Sequence, residues 1–165
     1  MSHPLLQQIS KAEPGRYLTE QEVYRIASED EFMKPRLQAA KAAQEKEQVI
    51  VQAAIKATFK KFDFSVHDYY EGKCYRDVAM VYRYCVFSML CNDTSLLENK
   101  LLYWMRTIIQ AFEFPGRNDS IRLTYAGMRR EAWNHLSQEH ARLLDPYLEL
   151  AENVLPATGE RHNRE

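Results

Sequence analysis

The chain has 165 residues, a formal net charge of −1 at pH 7 and 27% charged residues. That is one domain's worth with a single sizeable core, and it carries neither the basic excess of a nucleic-acid binder nor an acidic interaction tail. Five Gly and six Pro are too few for the turns of an all-β fold, three Cys cannot complete a disulfide framework, no signal peptide opens the chain, and no apolar run reaches the roughly 18 residues of a membrane span, so a reduced, cytoplasmic protein with no transmembrane segment is expected.

Met1 to Ser10 is short and amphipathic, with Leu5, Leu6 and Ile9 on one stripe, and Pro14-Gly15 ends it. Thr19-x-x-Glu22 is a capping box ahead of Val23, Tyr24 and Ile26. Pro35 suits a first helical turn, and Arg36 to Lys61 is a long run of strong helix formers. Its apolar stripe is Ala39, Ala42, Ala43, Val49 or Ile50, Ala53, Ala54, Ala57 and Phe62. Phe62 to Gly72 breaks the period and reads as a loop of aromatic and acidic side chains. Cys74 to Cys91 is helical again, with Val78, Val81, Tyr82, Cys85 and Met89 on one stripe. Asp93 or Ser95 caps the next helix, Glu98 completes a box with Ser95, and the helix runs through Phe112 to Pro115-Gly116. Asp119 or Ser120 starts another that ends near Leu136, and Ser137 starts the last. Nothing alternates as a strand. The class is all-α with about seven helices, the first two preceding a larger body. Residues 1–33 form an N-terminal helical arm, 34–156 the body and 157–165 a disordered tail.

Few motifs carry chemistry. A phosphate loop, HExxH, CxxC and Gly-x-Ser-x-Gly are absent, and Glu-x-x-His is not duplicated as a di-iron bundle requires. His135 and His140 flank a helix junction and His67 lies in the aromatic loop, all three reading first as surface or capping residues. In Gly72-Lys73-Cys74-Tyr75-Arg76-Asp77, Cys74 and Asp77 are three residues apart and share a helical face, extended by Val78 and Val81. Taken alone, they read first as a buried cysteine beside an acid that complements a helix dipole. The sharper reading is a site for a flat conjugated ligand, with the thiol activated at a helix start. Cys85 and Cys91 read as core, and Trp104 and Trp133 as core or interface anchors.

The sequence as a whole resembles the phycobiliproteins, the globin-like bilin-binding subunits of phycobilisomes. Gly15-Arg16-Tyr17-Leu18-Thr19 is similar to the segment after the family's first helix, and Arg36 to Phe62 to its long helix. Cys74-x-Arg76-Asp77 resembles the chromophore motif Cys-x-Arg-Asp. Tyr82-Arg83-Tyr84, Asn92-Asp93-Thr94-Ser95-Leu96-Leu97-Glu98 and Phe114-Pro115-Gly116 resemble the family's helix and turns beyond that motif, nearer to β-type than α-type subunits. The resemblance implies a globin-like fold with two extra N-terminal helices that pair subunits in a homo- or hetero-dimer, with Glu13 and Arg83 near intersubunit ion pairs. It also implies a phycocyanobilin-like linear tetrapyrrole held by a thioether at Cys74. Asp77 would then accept hydrogen bonds from the pyrroles, Arg76 would pair with a propionate and Lys73 would assist. The implied role is light harvesting, light sensing or bilin handling, not enzymatic, among other phycobilisome proteins or a bilin lyase, at the periphery of the thylakoid membrane. Besides lacking an evident counterpart of the asparagine that many β subunits carry upstream of the chromophore, the chain departs from the family in three ways. Only ten residues separate Phe62 from Lys73, no second attachment cysteine follows near the C-terminus, and Met80 and Val81 stand where some members have tyrosines. The shortened loop fits a second reading, a pigment-free interaction or assembly protein.

Overall fold

The computed structural model describes residues 3–62, 67–112 and 116–156, and the side chains of these except 67–71. Residues 1–2, residues 63–66 of the expected loop, the side chains of His67 to Glu71, residues 113–115 and the expected tail 157–165 lie outside the described residues. Among those described there are only helices, and the expected all-α class holds. They are α1 (Pro4–Ala12), α2 (Glu20–Glu29), a 3₁₀ turn (Glu31–Met33), α3 (Lys34–Lys61), α4 (His67–Cys91), α5 (Thr94–Leu97), a π-turn (Glu98–Leu102), α6 (Tyr103–Ala111), α7 (Arg117–His135) and α8 (Gln138–Val154).

The 28-residue α3 is the spine, and α4, α7 and α8 all pack on it. Its buried line includes Ala43, Glu47, Ile50, Val51, Ala54, Ile55 and Thr58. The expected stripe is therefore right at Ala39, Ala43, Ile50 and Ala54, while Ala42, Ala53 and Ala57 sit at its half-buried edge and Val49 is exposed. Small residues let α3 and α7 approach closely. A Cβ on Gly127 would meet Ala54 Cα at 3.5 Å, and one turn further along Thr58 and Thr124 share a buried hydroxyl hydrogen bond of 2.8 Å.

Several expected boundaries are found. Thr19 and Glu22 make the reciprocal capping box, Pro35 lies in the first turn of α3, and Ser137 caps α8. Asp93 rather than Ser95 caps α5. Ser95 Oγ donates to Asp93 at 2.6 Å, so the expected Ser95–Glu98 box is not formed. Gly116, at φ 75°, caps α7, which begins at Arg117 rather than at Asp119 or Ser120. The largest difference is at α4. It begins at His67, so most of the expected loop is helix and Cys74 is its eighth residue. Gly72 does not stop it. Glycine inside a helix costs only about 1 kcal/mol against alanine, and this one is exposed with open space around it.

The N-terminal stripe is not left open. Leu6, Ile9 and Ile26 are buried in the same cluster as the rest of the core, with Leu5 and Val23 packed at its edge. α1 lies on α4 and α2 on α3. His3 caps α1 and reaches Glu29 of α2 at 3.1 Å. Between the two helices Gly15, at φ 81°, seats against the Tyr84 ring, where a Cβ would overlap the aromatic carbons.

Candidate functional site

α4 carries the residues singled out from the sequence. Cys74, Val78, Val81 and Cys85 lie on one strip by helical spacing, the last three fully buried and Cys74 half-buried against the same core. Asp77 stands beside Cys74 one turn on, with its side chain 48% exposed. Arg76 donates from Nε and Nη2 to Asp77 Oδ1, each at 3.1 Å, and Lys73 is exposed one turn before Asp77. From α7, Tyr125 is buried next to this group. Burial pushes its phenol well above the usual range, and the nearby Cys74, Asp77 and Cys85 push it further.

The four residues singled out from sequence thus share one stretch of α4, and the structure pairs two of them, Arg76 and Asp77, directly. One premise is corrected. Two turns inside α4, Cys74 gains nothing from the helix N-terminus, since that field fades within the first turn. Cys85 is core, as expected. Its thiol lies 3.5 Å from the Tyr147 carbonyl, and full burial raises its pKa. Cys91 is buried too. Cys74 is the cysteine on a face that reaches solvent.

A second cluster on α4 is one that pattern reasoning missed. Glu47 of α3 is nearly buried, yet it binds three donors. Arg83 Nε and Nη2 reach its two oxygens at 2.8 and 2.7 Å, and the Tyr17 hydroxyl donates to it at 2.6 Å. The Arg83 guanidinium also lies over the Tyr17 ring, 5.8 Å from its centroid. Burial first, then the bond to Glu47, holds the Tyr17 phenol far above its ordinary value. The clasp fixes the segment between α1 and α2 to the body. At the two positions where the resemblance implies intersubunit ion pairs, Arg83 is engaged within the chain by Glu47, and Glu13 by Arg16 at 2.8 Å.

The remaining candidates are structural. Trp133 Nε1 donates to Asp145 at 2.7 Å, and Arg129 holds the same carboxylate with both oxygens, joining α7 to α8. His140 uses its backbone N–H on the Ser137 cap, and His135 meets Glu131 at 3.5 Å. Trp104 is not core but 56% exposed. No helix among the described residues is long and apolar enough to cross a membrane.

A half-buried thiol packed on the core, a carboxylate one turn on and two cations within a turn are the groups this stretch of α4 brings together. A family model described as phycobilisome protein matches residues 7–155.

Proposed function

Because the chain belongs to the phycobilisome protein family, with its role in light harvesting, we propose that it is a pigment protein that holds a linear tetrapyrrole by a thioether at Cys74. The placement of Cys74 and Asp77 carries the reading. They share one face of α4, the thiol against the core and the carboxylate half in solvent.

When bound, the tetrapyrrole supplies the absorption; the protein attaches it, holds its charge and restrains its torsions. Cys74 would hold the group by a thioether, its thiol adding across a carbon–carbon double bond of the pigment so that the C–S bond would replace the π bond and the thiol proton would end on carbon. Without a helix terminus to lower its pKa, the thiol is one that a bilin lyase would assist. Asp77 would accept from the pigment's pyrrole N–H groups, its charge favouring their protonated state. Arg76 would pair with a propionate, with Lys73 in support. No reaction is catalysed on a substrate. The N-terminal helices pair this chain with a second subunit. With Leu6, Ile9 and Ile26 already covered, pairing falls to their outer side. The assembly sits at the thylakoid surface as a peripheral component.

The second reading, a pigment-free phycobilisome interaction or assembly protein, is supported by the Arg76–Asp77 pair, which already compensates the carboxylate. Co-expression with a bilin-producing pathway separates the two. A visible band that persists through denaturation, with zinc-enhanced fluorescence lost in Cys74→Ala, supports the pigment reading. A colourless product, or a signal lost in Cys85→Ala instead, overturns it.

A further inference from the structure

Among the described residues the buried tyrosines are Tyr82, Tyr125 and Tyr147. Tyr82 donates its hydroxyl to the Ala43 carbonyl at 3.0 Å, and Tyr147 reaches Asn92 Oδ1 at 3.5 Å. The half-buried Tyr17 has Glu47. Tyr125 is different. It is 3% exposed, yet among the described residues its hydroxyl has no hydrogen-bond partner. A buried hydroxyl is ordinarily paired, because leaving water without a new partner costs stability.

The backbone holds this side chain firmly in place. Thr124, the residue before it, is bonded to Thr58 of α3 at 2.8 Å, and Gly127 lets α7 lie close on Ala54. Those two contacts set the rotation of α7 about its own axis. Tyr125, about 100° round from Thr124, is thereby carried into the cluster that holds Val78, Val81 and Cys85 and on which Cys74 packs. Its hydroxyl lies within electrostatic reach of Cys74 and Asp77. Burial first, then these acidic neighbours, keep the proton on the phenol, so the group is a donor. The same neighbours decide what it can donate to. An anionic acceptor would stand beside the Asp77 carboxylate and be repelled. The cations of the site, Lys73 and Arg76, are exposed, so anionic groups of a ligand belong outside. The acceptor that suits Tyr125 is neutral.

We infer that Tyr125 is a further binding residue of the site, its hydroxyl donating to a neutral carbonyl of the ligand held at Cys74, of the kind a linear tetrapyrrole carries in the lactams of its end rings. This rests on the pigment reading proposed above and adds a residue from α7 to a site otherwise built on α4. The hydroxyl is unpaired in the bare chain and paired in the loaded one.

Removing it should therefore act with opposite signs in the two states. Tyr125→Phe keeps the ring and its packing. Wild type and variant are each prepared bare and, by co-expression with a bilin-producing pathway, loaded. Zinc-enhanced fluorescence of the denatured adduct measures loading, and each preparation is melted under far-UV circular dichroism. The bare variant is expected to melt about 2–4 °C above bare wild type, because an unpaired buried hydroxyl is gone. The loaded variant is expected to melt below loaded wild type by a similar amount, because a made hydrogen bond is gone. A tyrosine that serves only packing would move both melts the same way. A variant that melts higher bare but no longer loads also supports the inference, the ligand having lost its donor. Any other pair of shifts overturns the inference and leaves the pigment reading standing. If wild type and variant both stay colourless, the pigment reading falls and the inference with it.

Discussion

Asp77 meets its neighbour Arg76 in the bare chain, and under the proposed pigment reading it would meet the protonated pyrroles instead. Asp77→Asn should therefore permit attachment at Cys74 but weaken the red band, because the counter-charge is gone. The check is absorbance divided by zinc-enhanced fluorescence of the denatured adduct. An unchanged ratio would make Asp77 only a partner of Arg76. The clasp offers a second comparison, in which the order of effects is the informative part. Arg83→Ala leaves the nearly buried Glu47 carboxylate with Tyr17 as its one remaining named donor, whereas Glu47→Ala leaves a guanidinium that is 46% exposed and can be solvated. The first should cost about 3 kcal/mol and the second about 1–2 kcal/mol in urea unfolding. Equal costs would mean that Glu47 is better hydrated than its burial indicates. Of these residues, Cys74 and Asp77 were legible in the sequence, because one helical turn of spacing suffices to place them together. Glu47 was not. It is one acid among several in a Lys-, Gln- and Glu-rich helix, and its partners lie 30 and 36 residues away.

At the scale of elements, the features that depend on neighbouring residues alone were the legible ones. Thr19–Glu22 and Ser137 are self-contained caps, so composition alone finds them. The start of α4 is harder to read because a glycine and a cluster of aromatics look like a break, while packing of the following turns on α3 and α8 outweighs that weak propensity. The connector between α1 and α2 is where a local rule and a tertiary contact coincide. Gly15 needs its positive φ for the turn and its missing Cβ for the Tyr84 ring. Gly15→Ala should lower stability by about 2 kcal/mol or more. Adding Tyr84→Leu should recover only part of this, since the clash is relieved but the backbone strain is not. Full recovery in thermal melts of the double variant would show that φ carries no penalty there.

For the molecule as a whole, acid is the condition that separates its ends. Hydrogen bonding to Arg16 holds the Glu22 carboxyl down to about 2, from an ordinary 4.5, and Arg129 likewise lowers Asp145. A depressed carboxyl stabilises the fold above its unfolded value, and that contribution is lost as pH falls toward the folded one. Stability should thus decline from about pH 4.5 down to about 2. Amide exchange should rise first in residues 16–26, because the Arg16–Glu22 pair belongs to a short connector while Arg129 joins two long helices. Glu22→Gln should flatten that slope; an unchanged slope would assign it to other carboxylates. The π-turn at Glu98–Leu102 acts at the same scale. Such a turn holds one residue more than the α-helix around it, and one residue is worth about 100° of rotation. Deleting a single residue there would return the turn to α geometry with α6 in its present phase, whereas tightening the turn to α geometry at full length would swing the whole of α6 by that angle about its own axis. Met105 and Ile109 would leave the core, and the indole of Trp104 would turn to a new bearing. The length of five residues is in this sense a phase setting. The direction in which α6 offers Trp104 is set by the turn before it, with no change to α6 itself.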